Sequence, residues 1–294
     1  MNANLTRLII LATVALVVTT PSALAQRQLG KKKGPTSKIY LAEAVGESQI
    51  VTGEKLYTAK QATAFDAPGT VIETKEGAHN AYVYSNGTGM FVDESTRVEI
   101  DRFVQEPFQP NRDTAADVPY EPSISQSEVH VARGAVGICT SQLVSGSSML
   151  YTTPQASMNI RGGKVSIQTN ANETVIDLLD GDLTVRGSSK DVGGQILRPG
   201  ERAIVRASAG NLAPTITISR IPQEDLDASD ARVTVACNAR KTVTFDIIEK
   251  KAEVGPDGPA DIPSGGDQEI VVKPTIPAEP PINIVISPDR LPGN

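Results

Sequence analysis

The 294-residue chain contains no Trp, two Cys and two His, and only 4% of its residues are aromatic. The shortage of rings leaves few platforms on which bases or sugars could stack. Two Cys are too few for a cysteine-only zinc site or a disulfide framework. Lys and Arg number 28 against 34 Asp and Glu, giving a net charge of −6. Without a basic excess the chain cannot neutralise phosphates in number, which argues against nucleic acid as its main partner. Catalytic raw material is equally thin. His79 and His130 are the two imidazoles, and no G-x-S-x-G elbow frames any Ser, so a converging nucleophile, base and acid is not indicated. Long apolar runs are missing after the first 25 residues, so no membrane span is expected in the remainder.

What is present begins with an export signal. Arg7 supplies a positive start, residues 8–18 are almost unbroken apolar, and Pro21 ends the run. Ala23-Leu24-Ala25 then gives the small-x-small cleavage pattern, with Gln26 as the first mature residue. The run is short against the ~20 residues that a spanning helix needs. Residues 1–25 therefore read as a signal peptide, and the expected location is periplasmic or extracellular. Export places Cys139 and Cys237, 98 positions apart, where a disulfide is permitted. Two small buried thiols are the alternative.

Residues 26–37 are polar and basic, with Lys31, Lys32 and Lys33 before Gly34 and Pro35, and read as a flexible lead-in. From 38 to 219 the chain shows short apolar/polar alternation, as in Val98-Glu99-Ile100, Val129-His130-Val131 and Val165-Ser166-Ile167. Period two with β-branched enrichment is the signature of strands. Ser85-Asn86-Gly87, Asp180-Gly181 and Pro199-Gly200 supply turns, and Asp180-Gly181 reads as a two-residue hairpin. A Pro-rich interval, 105–126, reads as a long inserted surface loop. Residues 220–251 form a small segment, with one short helix over 222–228 and strands over 233–236 and 242–248. Nine of the 20 Pro fall in 252–294, which predicts an extended, disordered tail in which 270–272 and 282–286 could add strands. An echo links Gly69-Thr70-Val71 and its following strands to Gly163-Lys164-Val165 and its own, as two related β units would. The fold class is all-β, a roll, short solenoid or sandwich-like stack.

The polar candidates have ordinary explanations beside chemical ones. Asp177, Asp180 and Asp182 surround one expected hairpin, and paired acids on a β scaffold could cleave glycosidic bonds. Asp177 also suits a solvent-facing strand position, and Asp180 a turn. Asp225, Asp227 and Asp230 resemble part of a calcium loop but lack its glycine and distal Glu, so they read as an acidic helix start. Arg161-Gly162-Gly163 suits either an anion-binding turn or a tight bend, and Gly146-Ser147-Ser148 a loop of small residues. No catalytic, cofactor or metal residues are assigned.

Residues 69–103 resemble the first half of a FecR-type domain, in which a G-x-V, a strand, a Gly turn and a second strand precede a Ser/Thr-x-hydrophobic segment. Residues 152–168, 173–187 and 196–205 follow in the order of that family's second half, so the resemblance spans roughly 60–208. Gly163 stands where the family has Thr, and the 105–126 interval is unusually long. FecR proteins are known as anti-sigma regulators with a cytoplasmic helical region and one membrane span. Neither is read in this sequence, so that activity is not carried over. The resemblance implies an exported, non-catalytic β module that contacts another envelope protein, without cofactor. Alternatives are a structural surface or matrix component, or a carbohydrate-active enzyme using Asp177 and Asp182.

Overall fold

The computed structural model describes residues 37–108, 118–187, 193–208, 213–249 and 268–275. The expected signal peptide, nearly all of the basic lead-in, the middle of the Pro-rich interval and most of the tail lie outside the described residues. The first eight strands are β1 (Ile39–Val45), β2 (Ser48–Thr52), β3 (Lys55–Thr58), β4 (Thr63–Phe65), β5 (Thr70–Thr74), β6 (His79–Tyr84), β7 (Gly89–Val92) and β8 (Arg97–Gln105). Then come β9 (Ser125–Thr140), β10 (Ser148–Thr152), β11 (Ala156–Thr169), β12 (Glu173–Gly187), β13 (Gln195–Leu197), β14 (Glu201–Arg206) and β15 (Thr215–Arg220). Helix α1 (Gln223–Ala239) and a ribbon of β16 (Val243–Glu249) with β17 (Gln268–Pro274) complete the described chain.

Three strands explain how one sheet encloses a core. β9, β11 and β12 are 16, 14 and 15 residues long, and each changes partners part-way. β9 pairs with β8 and β10 up to Arg133, and with β7 and β11 from Gly134 onward. β12 pairs with β14 in its first part and β13 in its second. The fifteen strands are thus one hydrogen-bonded sheet folded into two halves, left open at its ends. The inner faces share one core, to which Ile72, Phe103 and Met158 contribute from one half and Ile39, Tyr84 and Ile138 from the other. Tyr84 meets the ring of Phe103 edge-on at 5.1 Å, and the Tyr151 hydroxyl reaches Met90 Sδ at 3.8 Å. The all-β expectation holds at this level, as an open, sandwich-like stack.

Glycine allows the fold-over. At the bend shared by β11 and β12, Gly163 and Gly181 have φ of +112° and +100°. A Cβ on Gly163 would lie 2.1 Å from the Asp180 carbonyl oxygen, and one on Gly181 2.0 Å from that of Gly162. Asp180-Gly181 is therefore not the hairpin that the sequence predicts. It is a bend inside a continuous strand, with Leu178 opposite Val165 and Leu183 opposite Ile160. The dipeptide does mark positive φ, but its partner strand turns the same corner and the chain never reverses. The echo between 69 and 163 is not a structural repeat either. β5 pairs with β2 and β8 and β6 with β1 and β7, whereas β11 and β12 pair with each other.

Outside the sheet, α1 packs across β6, β7, β9 and β11. It buries Ser229, Val233 and Ala236, a narrow stripe of small residues at i, i+4 and i+7. The sheet presents glycines to it. A Cβ on Gly89 would meet the Ala236 carbonyl oxygen at 2.0 Å, and one on Gly137 the Arg232 carbonyl at 2.5 Å. The sequence reading of a short helix over 222–228 followed by a strand over 233–236 is corrected to one 17-residue helix. Val233, Thr234 and Val235 are β-branched and favour strands locally, but the glycine bed rewards a helix there. The ribbon packs Val243, Phe245 and Ile270 onto Tyr40, Ala42, Ala81 and Val83. β17 covers 270–272, one of the two places where the Pro-rich tail could add a strand, and Pro274 stands at its end, while 282–286 lies outside the described residues. The 105–126 interval is also anchored at its far end, where Tyr120 bridges to Gln142. Among the described residues, no helix is long and apolar enough to cross a membrane.

Candidate functional site

β15 forms the longest open edge of the main sheet. Its sequence, TITISR, is β-branched and free of Pro, and Ile216 and Ile218 pack against the core. Two backbone bonds fix which groups point outward. Ile221 N–H donates to the Gly200 carbonyl at 3.0 Å, and Ala207 N–H to the Asn172 carbonyl at 3.1 Å. With Ile204 opposite Thr217 and Arg202 opposite Ser219, antiparallel alternation turns the N–H and C=O of Thr217 and Ser219 toward β14. The N–H and C=O of Ile216, Ile218 and Arg220 therefore face away from the sheet. Among the described residues no strand pairs with them.

The strand beneath this edge is clamped. Arg202 on β14 donates from Nε to Asp177 Oδ1 at 2.6 Å and from Nη2 to Oδ2 at 2.7 Å. Ser229 of α1 donates its hydroxyl to Asp177 Oδ2 at 2.6 Å, and Asp225 takes a further bond from Arg202 Nη1. The hydrogen bond to Asp177 raises the Arg202 pKa above its ordinary value, so the guanidinium stays charged. Further along the helix, Arg232 reaches Asp93 at 2.8 Å and Arg240 Nε donates to the Gly87 carbonyl at 2.6 Å. Between these anchors the Cys237 and Cys139 sulfurs are 2.09 Å apart, with Cα atoms at 5.1 Å. One strand, one helix and one crosslink hold the support of the edge in place.

The acidic residues singled out in the sequence do not assemble into a catalytic pair. Asp177 alternates away from Ile176 and Leu178, but the face it occupies is covered by α1, leaving it 1% exposed rather than solvent-facing. Asp180 and Asp182 are exposed at the β12 bend. Asp225 pairs with Arg202, Asp230 accepts from Thr234 at 3.5 Å, and Asp227 is exposed. Among the described residues, no group of three His, Cys, Asp or Glu is placed to hold a metal ion. His79 lies 3.3 Å from Glu43 and against the Phe91 ring, while His130 contacts Thr152 Oγ1 at 3.0 Å, so each imidazole has its own local partners.

Sequence reasoning missed Arg202, Ser229 and Glu121. Glu121, 4% exposed, accepts from Ser125 Oγ at 2.5 Å, Asn86 Nδ2 at 3.4 Å and Val144 N–H at 3.0 Å. An acid amid prolines carries no local sign of such burial. The same is true of an Arg following a Pro-Gly turn.

No family model matches the chain, and no curated protein does. Two crystal structures of a candidate anti-sigma factor from Parabacteroides distasonis align over 54% of this chain at 16% identity, with TM-scores of 0.37 and 0.38. The alignment covers 63% and 62% of those chains, so this protein spans less than two thirds of their length. A superposition this partial carries no argument about activity.

Proposed function

We propose that this chain is an exported, FecR-like, non-catalytic module that binds an extended segment of another envelope protein along β15. The observation that carries the reading is the row of outward N–H and C=O groups at Ile216, Ile218 and Arg220, mounted on a clamped strand. An added strand satisfies those groups without rearranging the sheet, which is the physics of β-augmentation. Export rests on the leader-like residues 1–25 and the FecR assignment on the order of the Gly-punctuated motifs. Neither depends on the edge.

The test is a proline on the edge. Arg220→Pro removes one outward N–H and leaves the bonds of Thr217 and Ser219 to β14 intact. The exported wild-type protein should purify with one stoichiometric partner, which Arg220→Pro loses while Lys55→Pro on β3 retains it. Insoluble self-assembly, or a partner held equally by Arg220→Pro, would refute the reading and favour a structural surface component.

A further inference from the structure

We propose that a second site, independent of the β15 edge, binds a small acidic sugar through Arg161 and Arg186. Both line a cleft of about 630 Å³ on the outer face of the sheet, between the start of β10, β11, β12 and the 142–147 loop. That volume lies within the ~300–1,000 Å³ range of small-molecule sites and suits a mono- or disaccharide.

Charge selects the ligand. Among the described residues no acidic side chain lines the cleft, although the chain as a whole carries a net charge of −6. Arg97, Arg133, Arg202, Arg206 and Arg232 each have a carboxylate partner, whereas Arg161 and Arg186 have none among the described residues. Two exposed guanidinium groups without an internal acid fit the oxygens of a carboxylate or phosphate. The remaining polar lining, including Asn159, Thr184, Ser145 and Ser147, offers amide and hydroxyl groups suited to ring hydroxyls. Among the described residues no aromatic ring lines the cleft, so a neutral sugar would lack a stacking platform and the anionic group must decide affinity.

The wall is built before any ligand arrives. Leu143 N–H donates to the Arg161 carbonyl at 2.8 Å, and Ser147 N–H to the Val144 carbonyl at 3.0 Å. Ser125 N–H donates to Ser147 Oγ at 2.9 Å, and Gly146 turns the loop with φ of +96°. The Glu121 carboxylate holds Val144 from inside, at 3.0 Å from its N–H. Its other contacts are also internal, so the acid steadies the loop without facing the cleft. The Arg161-Gly162-Gly163 motif thus serves as a bulge within β11, where the pairing with β12 shifts between Ile160 and Gly162 and leaves Arg161 exposed.

The experiment titrates the exported full chain at low salt with galacturonic acid, galactose 6-phosphate, galactose and inorganic phosphate, read by calorimetry and by amide chemical shifts. At least one acidic sugar should bind roughly 10-fold or more tightly than galactose, and Arg161→Gln or Arg186→Gln should each weaken it about 10-fold. The two acidic probes separate a carboxylate from a phosphate preference. Shifts in the wild-type protein should centre on Gly146, Arg161 and Arg186, which keeps the test valid if a variant misfolds. Equal binding of galactose, inorganic phosphate as tight as the tightest acidic sugar, shifts centred elsewhere, or no binding of either acidic sugar would each overturn the proposal.

Discussion

Arg202 grips Asp177 through two parallel hydrogen bonds of 2.6 and 2.7 Å, in a place where the carboxylate is 1% exposed and the guanidinium side chain 8%. This fork joins β14 to β12 beneath α1, and Ser229 brings the helix onto the same carboxylate. The pair belongs to the support of the edge and not to a reaction centre.

Removing Asp177 should leave the buried Arg202 guanidinium with the half-exposed Asp225 as its remaining carboxylate partner. Asp177→Ala is expected to cost about 3–5 kcal/mol, and Ser229→Ala about 1.5–3 kcal/mol because its partner is charged. Urea denaturation of each variant measures this. Midpoints unchanged from wild type would show that the fork contributes nothing.

Helix docking on glycine makes a second prediction. Gly137→Ala places a methyl group against the Arg232 carbonyl, and Gly89→Ala one against that of Ala236. Each should destabilise by ~1–3 kcal/mol through overpacking and should speed amide exchange across 229–239. Wild-type stability in both would mean that the helix does not sit so close.

The Cys139–Cys237 crosslink closes 98 positions of chain, for which the chain-entropy relation gives about 4–5 kcal/mol. The oxidised exported protein should show no free thiol by mass. Reduction, or Cys237→Ser, should lower its melting temperature while leaving the sheet core intact. Two free thiols in the exported protein would remove the crosslink from the account.

These three predictions draw on features of unequal legibility. Alternation such as Val165-Ser166-Ile167 was readable as strand because one face of the sheet builds a core. What that alternation could not reveal is that the other face is covered too. Asp177 and Ser166 both stand on it, both are buried, and their covering helix has a narrow stripe of Ser, Val and Ala in place of a broad apolar face. Gly87, Gly181 and Gly200, which read as turn glycines, do have positive φ, yet whether the chain reverses there depends on its neighbour, as at Gly163 opposite Gly181. The Arg161 cleft is visible only as a motif with two meanings, because its loop is held by Glu121 from 23 residues upstream of Val144.

Alkaline pH supplies a fourth prediction. Burial pushes the pKa of Tyr82, Tyr84 and Tyr151 well above the ordinary 10.0, so the folded state holds these protons more tightly than the unfolded chain. Their contribution is complete below pH 10 and is lost as pH rises above it. Tyrosinate absorbance from half of the six tyrosines should therefore appear only together with cooperative unfolding. Smooth titration of all six near pH 10 in folded protein would contradict their burial.

The most direct test of the edge-binding account is residue-resolved amide exchange on β15, alone and with the co-purified partner. In the free protein Ile216, Ile218 and Arg220 should exchange rapidly while Thr217 and Ser219 are protected, and the partner should slow the first three without disturbing the other two. Slow exchange of all five in the free protein, or no change on binding, would contradict it.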